Sequence, residues 1–397
     1  MALPVLITPV LTRLYGPEDF GSLAVFAAFL SLSIAFSTWR FDWLIPNART
    51  RASAASLFLV GLLCLVIACL VITGLLSLGA FNWSSVGSLG ALAFLLPVAL
   101  FAGGVRSLLS GWFVRKGDLK HVGKATIAQA GANAAASLAL GMVTPGAFGL
   151  LMASTLAAWS GIGTLLRHSW SGLRSSLAKV DVPLMGMTVA RHGRNATWST
   201  LVSVINAASL TAPVLVLSYF YSSKEVGWYS LMFRLLAAPI GALSSALGQS
   251  FWSRAAELAR ARRVADLSAL YQKTTFRLGL AALPVVGVCM IGPYVVGPIL
   301  GSKEWEEAGY ILRAMMPLFV GTIMFSPTNH LVVLNRQVLQ VLVDCIRLVL
   351  VVVSISLASF LGLSFIAAVG LTSVSSFIGH AALFLSHKKV HWEYGRS

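Results

Sequence analysis

Long apolar stretches separated by short polar breaks dominate this sequence and constrain its fold more than any other feature. Each stretch has about 20 residues or more, enough for an α-helix to cross roughly 30 Å of hydrocarbon. The apolar residues are continuous rather than alternating, which excludes the strands of a membrane barrel. The sequence therefore predicts an all-α, polytopic helical membrane protein. Its predicted spans lie near 20–39, 52–78, 86–113, 122–142, 146–166, 195–220, 227–252, 274–300, 308–333, 338–360 and 363–386.

The charged residues are few and unevenly placed. Only 11% of the 397 residues are charged and 57% are hydrophobic, whereas soluble domains are about a quarter charged. A net charge of +16 in a soluble protein would suggest nucleic acid. Here 22 of the 29 Lys and Arg residues lie in alternate breaks and the C-terminal tail, and 3 lie in the other breaks. The positive-inside rule then places those basic breaks and both termini in the cytoplasm, and no nucleic-acid partner is expected.

The segment "MALPVLITPVLT" at the start is apolar but short. Twelve helical residues rise only about 18 Å, which is too little to span a bilayer. The segment lacks the basic start and small-residue cleavage site of a signal peptide. We expect it to be a first helix whose N-terminal half is missing from this chain.

A short polar motif occurs twice and indicates an internal repeat. "RLYGPEDFG" and "YFYSSKEVG" share the pattern Tyr-x-x-x-acid-x-Gly, in which Asp19 corresponds to Glu225. Pro97 and Pro317 fall in a second pair of similar segments. We predict two six-helix lobes, 1–166 and 195–397 including a short tail, joined by a cytoplasmic linker, 167–194. Lobes with an even number of helices enter the bilayer in the same sense, so a pseudo-two-fold axis along the membrane normal should relate them.

The sequence also resembles a known family. "LTRLYGPEDFGSLAVFAAF", "STWRFDWLIPNA" and "WEEAGYILRAMMP", with the arrangement of six plus six helices, are similar to the Wzx-type polysaccharide biosynthesis flippases of the MOP exporter superfamily. The resemblance implies a transporter, not an enzyme, of the bacterial inner membrane. It would move undecaprenyl-pyrophosphate-linked oligosaccharides by alternating access around a cationic cavity, for lipopolysaccharide, O-antigen or exopolysaccharide. The implied partners are the lipid-linked oligosaccharide, membrane lipids and other polysaccharide-assembly proteins.

Charged residues inside the spans are costly, so each is a candidate for function. Guanidinium groups suit a pyrophosphate because they stay ionised and can bind phosphate oxygens in pairs. The candidates for substrate binding are Arg234, Arg106 and Arg347, with Arg234 preferred because no acid lies near it. The candidates for gating or coupling are Arg40, Asp42, Asp344 and His330. Structural roles remain open for several of them: Asp344 can pair with Arg347 three residues later, and Arg40 with Asp42 at an interface.

Other functional classes leave weaker traces in the sequence. A multidrug or small-cation exporter of the same superfamily is expected to bury acids in its cavity, but buried arginines outnumber buried acids here. A polysaccharide polymerase, ligase or glycosyltransferase needs a large loop with paired carboxylates or metal ligands, and the sequence has neither. All four cysteines fall in apolar spans, where packing accounts for them. We expect no metal and no cofactor.

Overall fold

A computed structural model of the chain describes residues 3–79, 87–261, 263–301, 303–328 and 337–394. These residues form α-helices and short 3₁₀ segments joined by turns, and no strand occurs within the described ranges. The predicted all-α class is confirmed. The helices are α1 (Leu3–Leu14), α2 (Pro17–Ser37), α3 (Phe41–Leu44), α4 (Arg51–Ser77), α5 (Leu95–Arg115), α6 (Leu119–Val143), α7 (Ala147–Leu177), α8 (Val182–Phe220), α9 (Ser223–Arg260), α10 (Val264–Ala281), α11 (Leu283–Leu300), α12 (Glu306–Ala314), α13 (Met316–Phe325), α14 (Gln337–Phe360) and α15 (Phe365–Tyr394).

Most predicted spans correspond to helices able to cross a membrane. In the part of the chain that the structure describes, nine helical segments are long and apolar enough, and α12 with α13 would make a tenth as one bent span. The predicted span 122–142 is the exception: α6 has 25 residues but is not among those segments. Gln, Asn, Lys and Gly residues interrupt its apolar sequence, so α6 has the length of a span without its hydropathy.

Two predicted spans, 274–300 and 308–333, are each divided between two helices, and the second is sharply bent at the division. The first divides into α10 and α11 at Ala282, and the second into α12 and α13, which meet at an angle of 46°. Pro284 and Pro317 each occupy the second position of the helix that follows the break. Proline is favoured in a first helical turn and cannot donate the hydrogen bond that would continue the preceding helix.

The described chain forms two compact units, Leu3–Thr211 and Ala212–Ser397, which divide inside α8. The sequence placed the division in a linker, 167–194, but α7 continues to Leu177 and α8 begins at Val182, so most of that segment is helical. The first part of α8 packs on the N-terminal unit: Ser56 and Thr188 share a 2.7 Å hydrogen bond, and Ala196 is fully buried. The division lies beside Pro213, which interrupts the backbone hydrogen bonding of α8.

Two clusters of buried apolar side chains lie in the described part of the N-terminal unit. One joins α3, α4, α5 and α7 and includes Phe41, Ile45 and Leu108. The other joins α2, α4 and α5 and includes Phe26 and Leu65. Large apolar side chains are exposed on the outer face of α4, as expected where a helix contacts lipid: Leu63, Ile67, Leu70 and Val71.

The core of the C-terminal unit is built from aromatic and aliphatic side chains. Phe251, Leu267 and Tyr271 form one buried cluster on α9 and α10. Near α12, Trp305 and Met315 are completely buried. Gly309 allows α12 to approach α11 closely, because a Cβ at that position would lie 2.5 Å from the carbonyl oxygen of Gly292.

Candidate functional site

The connection between α2 and α4 forms one side of a polar pocket. Trp39 and Arg40 both have positive φ angles, 48° and 55°, which non-glycine residues rarely adopt. They reverse the chain into α3, a single helical turn, which is followed by a 3₁₀ turn at Ile45–Asn47. The buried side chains of Phe41 and Ile45 fix this turn to the core. Such strained backbone persists only where the surrounding packing holds it.

Helix α5 forms the other side and approaches α3 closely at Gly111. A Cβ at Gly111 would lie 2.6 Å from the carbonyl oxygen of Asp42, so the approach requires glycine. Arg115, one turn further along, donates from Nε to the carbonyl oxygen of Ala48 at 3.2 Å. These contacts fix the connection against α5 at both places.

The pocket between α3 and α5 has a volume of about 360 Å³. Arg106 contributes the cationic group, and no hydrogen bond or ion pair joins it to another described residue. Ser107 and Ser110 follow on α5, and Ser110 is one turn from Arg106. The residues that supply the polar and aromatic surface are Asp42, Trp43, Arg106, Ser107 and Ser110.

Arg40 and Asp42 do not form the ion pair that was one interpretation of the sequence. Asp42 is buried and accepts a 2.8 Å hydrogen bond from the Thr38 hydroxyl. The Arg40 guanidinium instead lies over the ring of Trp43, 4.2 Å from its centroid. The correction follows from the left-handed backbone at Arg40, which directs the two side chains to different neighbours. Among the described side chains, Arg40 Nε is buried without a hydrogen-bond partner.

Arg234 has a different environment from Arg106. It is exposed on α9 and forms no hydrogen bond or ion pair with the residues that the structure describes. An apolar pocket of about 170 Å³ lies nearby, lined by Met232, Leu235 and Leu236 of α9 and by residues of α11 and α12. Helical geometry places Arg234 on the opposite face of α9 from those three side chains. It is therefore not part of that pocket.

Arg347 is paired rather than free. Its Nη2 lies 3.3 Å from Asp344 Oδ1 on the same helix, α14. Its Nη1 lies 3.5 Å from Nε2 of His380, a buried residue of α15. A guanidinium can only donate, so this contact requires Nε2 to be the unprotonated nitrogen of a neutral imidazole. The three residues form a polar cluster within the C-terminal unit.

The sequence interpretation missed several residues of these two sites. Ser110 lies four positions after Arg106 and three after Ser107, and both spacings already placed neighbouring side chains on one helix face. His380 lies in the predicted span 363–386, so it was a candidate functional residue like any other ionisable residue within a span. His330, the histidine among the candidates for gating or coupling, lies outside the described residues.

The repeated motif forms the same turn in both units. Asp19 accepts a 3.0 Å hydrogen bond from the backbone N–H of Gly16, and Glu225 accepts one of 2.9 Å from that of Ser222. Each acid thus caps the first turn of a helix, where the macrodipole favours a negative charge. The predicted capped hairpin is therefore present in both copies.

A sequence profile of the polysaccharide biosynthesis protein family matches residues 10–309, three quarters of the chain. The chain belongs to this family. No curated protein sequence matches it.

Solved structures of transporters share its fold at low sequence identity. An inward-facing multidrug resistance MATE transporter of the MOP superfamily has a TM-score of 0.72 and 15% identity, with 100% of this chain and 96% of that one covered. The lipid II flippase MurJ, in an inward closed conformation, has a TM-score of 0.64 and 13% identity, with 98% and 88% covered. A MOP superfamily transporter from Pyrococcus furiosus has a TM-score of 0.60 and 16% identity, with 99% and 92% covered. The family member therefore has the multi-pass fold of membrane transporters and flippases.

Proposed function

We propose that this polysaccharide biosynthesis protein is a flippase that moves undecaprenyl-pyrophosphate-linked oligosaccharides across the bacterial inner membrane by alternating access. The family match and the fold shared with a lipid II flippase support a saccharide carried on a lipid. One observation supports the proposal most strongly: within the described residues, Arg106 presents to a polar pocket a guanidinium that has no hydrogen-bond or ion-pair partner. The carboxylate of the same pocket, Asp42, is hydrogen-bonded to Thr38, so the Arg106 cation is available to an anionic ligand such as a pyrophosphate.

The positions of the other arginines fit the same function. Arg234 has no hydrogen-bond or ion-pair partner among the described residues, so its charge is also available to the substrate during transport. Arg347 already has Asp344 as counter-ion, and its role is to hold α14 and α15 together or to respond when Asp344 changes charge. The basic breaks and both termini are cytoplasmic in this proposal, which puts the α3–α5 pocket at the side where lipid-linked sugars are made.

The test measures surface glycan in a flippase-deficient strain that expresses variants of the chain. Arg106→Ala should reduce surface glycan at least tenfold, because a lost charge-assisted contact costs about 1.5–3 kcal/mol. Arg106→Lys should retain part of the export, since it keeps the charge but loses the planar fork. Arg234→Ala should also reduce export.

Arg313→Ala is the matched control, because Arg313 is exposed on α12 and lies in neither polar site. Each variant is compared at equal abundance in the membrane fraction. Normal surface glycan with Arg106→Ala at wild-type abundance would remove the α3–α5 pocket from the transport mechanism.

Export of organic cations is a second candidate function. It is favoured by the carboxylate of Asp42 in the pocket and by the fold shared with a multidrug transporter. Asp42→Asn would then abolish resistance to cationic drugs in a sensitive strain. In the flippase proposal, drug resistance is the same with and without the protein.

A further inference from the structure

Trp43 forms an aromatic wall of the α3–α5 pocket. Its side chain is 65% exposed although Phe41, two residues earlier on the same short helix, is buried. The Arg40 guanidinium covers one face of the ring at 4.2 Å from the centroid. The remaining exposed surface therefore belongs mainly to the other face and the ring edges.

The ring is held in place by its neighbours rather than by its own burial. Ile45 and Phe41 anchor α3 in the core on either side of it. Asp42, the residue before it, is fixed by its hydrogen bond to Thr38. A rigid, exposed aromatic surface beside fixed polar groups is the arrangement that a pre-organised binding site needs. A tryptophan that only anchors a helix at the membrane interface requires neither the cation nor the pocket.

The other polar groups of the pocket complement a phosphorylated sugar. Arg106 and the hydroxyls of Ser107 and Ser110 can donate hydrogen bonds to phosphate oxygens. The Asp42 carboxylate keeps lone pairs free to accept from sugar hydroxyls. An aromatic face is negative and attracts the slightly positive C–H groups of a sugar ring. A volume of about 360 Å³ lies at the small end of ligand pockets, which suits one glycosyl phosphate but not an oligosaccharide.

We infer that this pocket binds the glycosyl phosphate part of the substrate, with the first sugar ring on Trp43 and its phosphate on Arg106. The inference rests on the proposed function and makes Trp43 a residue that recognises the sugar nearest the pyrophosphate. Arg106 then supplies binding common to every substrate, and Trp43 supplies binding that depends on the sugar.

Binding to the purified full chain in detergent tests this assignment by calorimetry. The probes are glucose 1-phosphate, galactose 1-phosphate and N-acetylglucosamine 1-phosphate, compared with inorganic phosphate. At least one sugar phosphate should bind tenfold or more tightly than phosphate. Trp43→Ala should abolish that difference, and Trp43→Phe should keep most of it because the aromatic face remains. Arg106→Ala should weaken the sugar phosphate and inorganic phosphate alike.

Trp170→Ala is the matched control, since Trp170 is 55% exposed on α7 and lies outside the pocket. It should bind every probe as the wild type does. The inference is overturned if no sugar phosphate binds more tightly than inorganic phosphate, or if Trp43→Ala leaves their ratio unchanged. That result would leave the flippase proposal standing as long as Arg106→Ala still reduces surface glycan, so the two failures are distinguishable.

Discussion

The tyrosine of the repeated motif makes a different hydrogen bond in each of the two units. The Tyr15 hydroxyl is buried and donates to the carbonyl oxygen of Ser137 on α6 at 2.7 Å. The Tyr221 hydroxyl donates to the carbonyl oxygen of Leu363, before α15, at 3.3 Å, where it is exposed. Both tyrosines thus connect the first hairpin of a unit to a later segment of the chain by a hydrogen bond. We expect the shorter, buried hydrogen bond of Tyr15 to stabilise the protein more.

Tyr15→Phe should therefore destabilise the protein more than Tyr221→Phe does. Losing the buried hydrogen bond of Tyr15 should cost about 1–2 kcal/mol, because Ser137 is left without that donor. Water can replace the exposed bond of Tyr221, so its loss should cost less than about 1 kcal/mol. Thermal denaturation of the two purified variants in the same detergent measures the difference. A larger loss of thermal stability for Tyr221→Phe would show that the contribution of these hydrogen bonds does not depend on their burial.

Some single-residue features could be predicted from the sequence and others could not. The capping roles of Asp19 and Glu225 were predictable, because an acid in the first helical turn is a local feature. The separation of Arg40 from Asp42 was not predictable, since it depends on two consecutive left-handed residues. Nothing local in "STWRFDW" requires a non-glycine residue to adopt that backbone.

At the scale of the elements, α14 and α15 share the polar cluster of Asp344, Arg347 and His380. The pair on α14 was predictable from its spacing of three residues. The contact with His380 depends on how α14 and α15 pack, which the apolar pattern does not determine. The close packing is visible at Gly379, where a Cβ would lie 2.6 Å from the Arg347 side chain.

Replacing one member of the Asp344–Arg347 pair should destabilise the protein more than replacing both. Arg347→Leu leaves the carboxylate of Asp344 in an apolar helix without its counter-ion, which should cost about 2–4 kcal/mol. Replacing both Asp344 and Arg347 by leucine removes the unpaired charge and should restore much of that stability. Thermal denaturation of the single and double variants tests the coupling. If the single variant is as stable as the wild type, the cluster has another role than pairing charge.

The observed ends of a helix matched the predicted ends where apolar composition and a capping residue indicated the same position. The predicted span 52–78 became α4, whose first turn is capped by the Thr50 hydroxyl, which accepts from the backbone N–H of Ser53 at 3.0 Å. The polar segment 167–194 is mostly helical, because α7 continues to Leu177 and α8 begins at Val182. Pro183 does not prevent this, since it lies in the first turn of α8, where proline is tolerated. Composition predicts where a helix meets lipid better than it predicts where the helix ends.

At the scale of the whole molecule, the basic breaks predict the topology. Single cysteines at Ser175 and Ser223, both exposed, should react differently with an impermeant thiol reagent in a background that lacks the four native cysteines. Ser223 should be labelled in intact cells and Ser175 only after permeabilisation, since 22 basic residues lie on the side of Ser175 and 3 on the other. Equal labelling of both in intact cells would contradict the predicted orientation.

The fold of the whole chain was accessible from its sequence, but the pocket was not. Apolar length and the repeated motif were enough to predict a polytopic helical membrane protein of two lobes, because both are properties of short segments. The pocket needed α3 and α5 brought together at Gly111, a contact between residues far apart in the chain. The sequence supplied Arg106 as a candidate, and the structure supplied Trp43, Ser107 and Ser110 beside it.

Movement of a lipid-linked saccharide between leaflets of a reconstituted vesicle tests the central claim most directly. Vesicles containing the purified protein carry a fluorescent undecaprenyl-pyrophosphate-linked saccharide, and a glycosidase that cannot cross the membrane is added outside. With the wild-type protein, the glycosidase should reach nearly all of the saccharide, and Arg106→Ala should slow this at least tenfold. If wild-type vesicles expose no more saccharide than protein-free vesicles, about half of the total, the chain does not flip this lipid.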